Sequence, residues 1–318
     1  MKIAFAGSEG FSIKVLDHLL LNITNLVSLQ FVITLPQRVK GRGKKTKNTD
    51  VYEFCKAKKI PVVTMEKNQK LNQDLKIKLK QIDILLVASF GIILDKNFLD
   101  LPKLGCINLH PSLLPEWRGA APIQRAIEAG NDWTGVSIMK MVEKLDSGPI
   151  WKQSKEKILK SDTADTLEMR LVINGFNLLE EFFSEANSET LFVSQNNYNV
   201  TYAKKIEKKE LNIDWTETAT CIMQKINAFY PKPCAYSFLN GIRVKFGRSK
   251  VISLNSNSYD LPGKIIVNLS QNEFVVNISC GQGYLGVMNL QKEGGKWLSA
   301  KAFSNGFKFF ERLSFNKE

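Results

Sequence analysis

Residues 83–88, Asp-Ile-Leu-Leu-Val-Ala, constrain the fold more than any other stretch of the chain. After the aspartate the run is apolar on both faces. Such a strand needs cover above and below, as in the middle of a largely parallel sheet. The competing reading is a membrane span. The longest candidate, residues 82–94, carries Asp83 and falls short of the about 18 apolar residues a spanning helix needs.

The flanking sequence alternates in period, as layers of strand and helix require. Residues 3–6 are a short apolar run closed by Gly7-Ser8-Glu9-Gly10, and from Phe11 onward Val15, Leu16, Leu19 and Leu20 recur at helical spacing. A second strand, residues 31–35, stops at Pro36. Helical patterns at 51–58 and 71–80 flank a strand at 61–64. Residues 105–109 form another strand, followed by a proline-punctuated loop and a helix at 122–129. The expected class is α/β, an open and mostly parallel sheet. Ligands of such sheets collect beyond the carboxyl ends of the strands, where the loops at 89–93 and 110–119 lie. The turn at Gly7–Gly10 is not GxGxxG and no acidic ribose partner follows it, so a dinucleotide site has little support; no Walker A sequence is present.

Residues 156–189 contain a helix with Thr163, Leu167, Leu171 and Leu178 at packing spacing. Around Lys204–Glu210 the composition turns polar and charged, as in a linker. Beyond it comes a helix at 218–229, ended by Tyr230-Pro231-Lys232-Pro233. Short strand-like stretches follow at 235–239, 243–246, 264–267, 274–278 and 284–290, which suit a small β-barrel. The expected division is 1–203, a linker at 204–212, and 213–318.

Apolar residues make up 44% of the 318, enough for a sizeable core and too many for a disordered chain. Residues 1–7 read as a strand entering a turn rather than a leader, so the chain is expected to work in the cytoplasm. Five scattered cysteines without a CxxC pair, and only two histidines, argue against a disulfide framework and against a metal site. Buried, reduced thiols are expected.

The net charge of +13 is unevenly placed. Residues 1–50 carry 8 basic and 3 acidic side chains, residues 51–200 carry 19 of each, and residues 201–318 carry 17 and 9. Two basic ends around a neutral middle fit a polyanionic partner, most simply nucleic acid; a solvated lysine-rich surface is the plainer alternative.

The chemistry centres on residues 105–119. Strand alternation puts Asn108 and His110 on one face at the strand's carboxyl end, and Pro111 and Pro115 stiffen the loop beyond. Downstream, Leu145-Asp146-Ser147-Gly148-Pro149 places a carboxylate in a tight turn after an apolar strand at 136–142. An amide, an imidazole and a carboxylate supply an oxyanion donor, a proton carrier and a group that supports the carrier when charged. Taken singly, a histidine at a strand end and an aspartate before Gly-Pro read equally well as structural. Ser112 lacks the GxSxG elbow, so direct transfer between bound partners fits better than a covalent intermediate.

With the stretch Ser112-Leu113-Leu114-Pro115 and Arg118-Gly119, this set resembles the folate-dependent formyltransferases. The resemblance implies a Rossmann-like formyltransferase domain, an OB-like C-terminal barrel, 10-formyltetrahydrofolate as co-substrate and no metal. Asn108, His110 and Asp146 match the family's catalytic set. Ser112, Leu113, Leu114 and Pro115 match its folate segment, while Phe90, Gly91 and Ile92 fall in the loop bounding its pterin pocket. Within the family the likeness is to members acting on initiator methionyl-tRNA in translation initiation. It extends through Ile213-Asp214-Trp215, through residues 228–233 and through residues 290–296.

Residues 37–47 carry six basic side chains in eleven and no acid, which on its own suits a solvated surface loop as well as a phosphate-binding one. They resemble the basic insertion by which those members hold the acceptor stem, implying RNA contacts by Arg38, Lys40, Arg42, Lys44 and Lys45. Gln37 and Val39 depart from the family's usual residues at the loop's entry. Phe11 resembles a wall of the methionine pocket, and a monomer is the default state. Glycinamide ribonucleotide or an aminated sugar nucleotide would be the alternative acceptor. A non-catalytic RNA-binding protein on the same scaffold is the alternative of a different class.

Overall fold

The computed structural model describes residues 1–318 except 9, 41–44, 68–70, 254–259, 267–275, 308–309, 311–312 and 317–318. The chain forms two compact units, one of residues 1–122, 134–157 and 168–204, the other of residues 123–133, 158–167 and 205–318.

The first unit is built on β1 (Lys2–Ala6), β2 (Ser28–Thr34), β3 (Val62–Thr64), β4 (Ile84–Val87), β5 (Cys106–His110), β6 (Trp133–Lys140) and β7 (Ile150–Lys157), in the order β7-β6-β5-β4-β1-β2-β3. The run from β3 to β5 is parallel, and β6 lies antiparallel to β5. The apolar run at 84–87 is buried at every position, between β1 and β5, as the sequence requires. Helix α1 (Phe11–Asn22) buries Val15, Leu16 and Leu19.

Helices α2 (Asp50–Ala57) and α3 (Gln73–Lys80) start where Thr49 and Asn72 accept hydrogen bonds from Tyr52 N and Leu75 N. Helix α4 (Ala164–Glu185) buries Leu167, Leu171 and Leu178. A Cβ at its Gly175 would lie 2.9 Å from Leu109 Cδ2, so a glycine lets this helix close over β5.

Several strands differ from expectation. The strand expected at 136–142 occupies 133–140 instead. Strand β7 was not anticipated, because six of the eight residues in its Ile-Trp-Lys-Gln-Ser-Lys-Glu-Lys sequence are polar, as an edge strand tolerates. Arg38–Lys40 and Lys45–Lys47 pair as an antiparallel ribbon where a plain loop was expected.

The second unit holds α5 (Ala219–Phe229) and two antiparallel sheets of a small barrel-like domain. One orders Leu298–Ser299, Asn289–Lys292, Ile242–Phe246, Tyr236–Leu239 and Phe315–Asn316; the other orders Ser249–Ser253, Tyr284–Val287, Val276–Ser279 and Ile265–Ile266. Trp215, Phe246 and Phe315 pack with centroids 5.0–5.8 Å apart, and Trp215 donates to Ser237 Oγ at 3.0 Å.

Lys208–Leu211 forms a 3-10 turn closed by reciprocal Glu207 and Glu210 capping. Arg125 bonds Glu210 at 2.8 Å and Glu128 at 2.6 Å. The Arg125 guanidinium holds the Glu210 carboxyl below its ordinary value of 4.5, against an opposing effect of burial. The stabilisation is therefore complete above that value and is lost as pH falls through the lowered folded one. Glu210→Gln is expected to remove about 1 kcal/mol of this acid dependence. Urea midpoints of the second unit between about pH 6 and pH 3 measure it, and equal slopes in both proteins would overturn it.

Cys55, Cys106, Cys234 and Cys280 are buried free thiols, with burial pushing Cys55 and Cys234 up to about 11 and Cys106 and Cys280 to about 12. Cys221 departs from the expected burial: it lies exposed on α5.

Candidate active site

The site forms where β1, β4 and β5 end. A Cβ at Gly7 would meet Ser12 Cβ at 2.6 Å, so only glycine lets the first turn close over α1. That closeness lets two hydroxyls tie down the next loop: Ser8 Oγ donates to Phe90 O at 3.0 Å and Ser12 Oγ to Ala88 O at 2.6 Å. Phe90 turns into the apolar core, Ile92 packs half-buried against that core, and Gly91 is exposed with φ 76° and open space around it. Phe11, at the start of α1, is buried.

Asn108 and His110 are 7% and 4% exposed at the end of β5. Both reach one carboxylate. Asn108 Nδ2 donates to Asp146 Oδ1 at 3.4 Å, Gly119 N donates to Oδ2 at 2.8 Å, and His110 Nδ1 lies 3.8 Å from Oδ2. His110 Nε2 lies 3.0 Å from Trp117 O. A carbonyl only accepts, so Nε2 carries the hydrogen and Nδ1 faces the carboxylate. At 3.8 Å that nitrogen is within ion-pair range yet beyond a hydrogen bond, so a reacting atom can engage it.

The segment expected to hold folate is fixed from beneath. Buried Ser137 donates to Ser112 O at 2.6 Å and accepts from Leu114 N at 3.2 Å and Gln153 Nε2 at 2.8 Å. Ser112 Oγ donates to Glu116 O at 2.6 Å, and Gln153 Nε2 also reaches Leu114 O at 2.9 Å. Leu114 is buried, while Leu113 and Pro115 are half-buried. Ser137→Ala strips one hydroxyl from three partners and is expected to cost about 1–3 kcal/mol. It should also raise several-fold the KM for the folate that this segment is expected to hold, with kcat little changed. Chemical denaturation and steady-state kinetics test both, and an unchanged KM would show that the loop needs no such support.

Two side chains outside the expected set complete the surroundings. Arg118, 3% exposed, donates from Nε and Nη2 to Gln195 Oε1 at 3.1 and 2.7 Å. Gln195 Nε2 donates to Asp146 O at 2.9 Å and Gly148 O at 2.7 Å. Sequence reasoning missed Gln195 because Ser194-Gln195-Asn196-Asn197-Tyr198-Asn199 reads as an ordinary polar loop.

In the basic ribbon, Arg38 is exposed and the register sets it against Lys47, and Lys40 against Lys45. Arg42 and Lys44 lie outside the described residues, as do the side chains of Lys40 and Lys45. No group of three or more metal-ligating side chains occurs among the described residues.

The structure thus joins, at the carboxyl edge of a mostly parallel sheet, an amide and an imidazole from the end of β5 and a carboxylate from the turn after β6. Residues 1–181 match the family described as formyl transferase, residues 205–308 match the formyl transferase C-terminal domain, and the chain belongs to this family. Its relatives include a protein named methionyl-tRNA formyltransferase in Pseudoalteromonas translucida, 36% identical over 310 residues that span 96% of this chain and 94% of that one. The protein of the same name in Thermotoga maritima is 35% identical over 319 residues, 100% of this chain and 99% of the other.

Among solved structures, the fold resembles a Helicobacter canadensis N-formyltransferase in complex with folinic acid and dTDP-3-aminofucose (TM-score 0.63, 20% identity, 92% of this chain and 99% of that one). It also resembles HypX from Aquifex aeolicus in complex with tetrahydrofolic acid (TM-score 0.61, 14% identity, 96% of this chain and 47% of that one).

Proposed function

We propose that the chain transfers the formyl group of 10-formyltetrahydrofolate to the α-amine of initiator methionyl-tRNA, giving N-formylmethionyl-tRNA for translation initiation. The observation that carries this reading is the convergence of Asn108, Gly119 N and His110 on the Asp146 carboxylate at 3.4, 2.8 and 3.8 Å. It is supported by the full-length likeness to proteins named for that activity.

The neutral amine attacks the formyl carbon, forming the new C–N bond and placing negative charge on the formyl oxygen. Asn108 Nδ2 and the Nδ1–H of protonated His110 donate to that oxygen. Asp146 steadies the charged imidazole and carries the amine proton toward the folate N10, whose bond to the formyl carbon then breaks. Oriented donors of this kind act where charge develops, which is where they lower a barrier.

The folate substrate lies against Ser112–Pro115 and against the backbone of Phe90, Gly91 and Ile92, with the amino acid near Phe11. The basic ribbon, through Arg38, Lys40, Arg42, Lys44 and Lys45, holds the RNA together with the basic C-terminal residues. Residues 1–203 form the catalytic domain, 204–212 the linker and 213–318 the RNA-binding domain of a cytoplasmic monomer. No described helix is long and apolar enough to cross a membrane.

Mass analysis of methionyl-tRNA incubated with 10-formyltetrahydrofolate and the protein tests this reading. Gain of one formyl group on the amino acid, lost when residues 37–47 are removed, is expected. Formylation of glycinamide ribonucleotide or an amino sugar nucleotide in its place would refute the assigned acceptor.

A further inference from the structure

The two family matches end at residue 181 and resume at residue 205, and the segment between them touches the candidate site more than once. Val193 exchanges two backbone hydrogen bonds with Ile150. Thr201 accepts from Trp117 N through its hydroxyl at 2.8 Å and from Arg118 N through its carbonyl at 3.0 Å. Ala203 O accepts from Ala120 N at 2.8 Å, and a Cβ at Gly119 would lie 2.6 Å from that oxygen, so the strap runs flush against the 117–121 loop. That loop supplies the carbonyl behind His110 and the amide on Asp146.

Gln195 closes the arrangement. Arg118 only donates, so Oε1 must face it and the amide nitrogen must face the carbonyls of Asp146 and Gly148. Asp146 is held there at φ 47°, in the left-handed region that aspartate tolerates better than most side chains yet seldom adopts without local support.

We infer that Gln195 is the positioning residue for Asp146. It fixes the turn from its backbone side, so that the carboxylate reaches Asn108, Gly119 N and His110 together. The inference rests on reading Asp146 as part of the reacting set. Without the amide, two carbonyls lose their donor and the turn relaxes toward ordinary backbone angles, carrying the carboxylate with it. A displacement of about 1 Å at such a site costs on the order of 10² in rate.

The experiment compares Gln195→Ala and Gln195→Glu with the wild type. The glutamate keeps an acceptor for Arg118 but turns an oxygen on the two carbonyls. Both variants are expected to lose roughly 10- to 100-fold in kcat with KM for methionyl-tRNA within about twofold. The Gly119 amide should exchange with solvent at least about tenfold faster while amides in β1 and β4 hold their rates. Adding Gln195→Ala to Asp146→Asn should cost nothing further, since one acts through the other.

Asn196→Ala, at a neighbouring exposed residue whose Oδ1 accepts from Tyr198 N, serves as the control and should match the wild type. Unchanged kcat or unchanged Gly119 exchange in the Gln195 variants overturns the inference, as does a full multiplicative loss in the double variant. A wild type that transfers no formyl group overturns instead the reading of Asp146, and the exchange rates then still decide whether Gln195 sets its turn.

Discussion

Asp146→Asn is expected to lower kcat by about 10²–10³ while binding of methionyl-tRNA changes by no more than about twofold. The substitution is nearly isosteric, and the turn around it keeps its Gln195 contacts, which go to the backbone carbonyls of residues 146 and 148. What changes is the acceptor count. The carboxylate takes Asn108 Nδ2 on one oxygen and Gly119 N on the other. An amide has one oxygen, so its NH2 must face a donor whichever way it is turned. One partner is repelled and the His110 ring loses the adjacent negative charge that supports it when protonated.

The stability cost should be modest, about 1 kcal/mol for one weakened hydrogen bond, which separates a chemical defect from a folding defect. Single-turnover formyl transfer, tRNA binding and chemical denaturation of the same preparation decide the matter. Near-wild-type turnover would mean that the carboxylate supports the fold and takes no part in the reaction.

How much of this the sequence disclosed depends on whether the deciding interaction is local. The all-apolar run of β4 has one stable environment, and α1 and α4 carry their buried leucines at helical spacing, so the parallel sheet and its cover were legible. Asn108 and His110 were legible as a pair because a strand puts alternate residues on one face. Their distance to Asp146, 38 and 36 residues on, was not, and only the resemblance joined the three. Strand β7 escaped because edge position relaxes the demand for apolar residues. Gln195 escaped for a deeper reason. Its role exists only through partners at 118, 146 and 148, and nothing in a polar Ser-Gln-Asn-Asn stretch marks one amide as packed half-buried against a turn.

The second large effect expected is in salt. If RNA binding neutralises about six phosphates, affinity should fall by on the order of 10³ between about 50 and 200 mM monovalent salt. The excess of basic over acidic residues is confined to the two ends of the sequence, 8 against 3 in residues 1–50 and 17 against 9 in residues 201–318. The ribbon adds a local reason. Its register opposes Arg38 to Lys47, and like charges directly across a two-stranded ribbon destabilise it.

A polyanion relieves that repulsion on binding, so the ribbon should gain hydrogen-exchange protection with tRNA and lose it again as salt rises. Arg42→Ala should reduce the slope of log affinity against log salt by about one and lower kcat/KM, with unfolding unchanged. Deleting residues 37–47 should remove several such contacts at once. The measurement is a titration of labelled methionyl-tRNA across the salt range for the three proteins. A flat dependence in the wild type would leave the basic ends as mere solvated surface. A slope unaltered by loop deletion would move the RNA contacts wholly to the C-terminal residues.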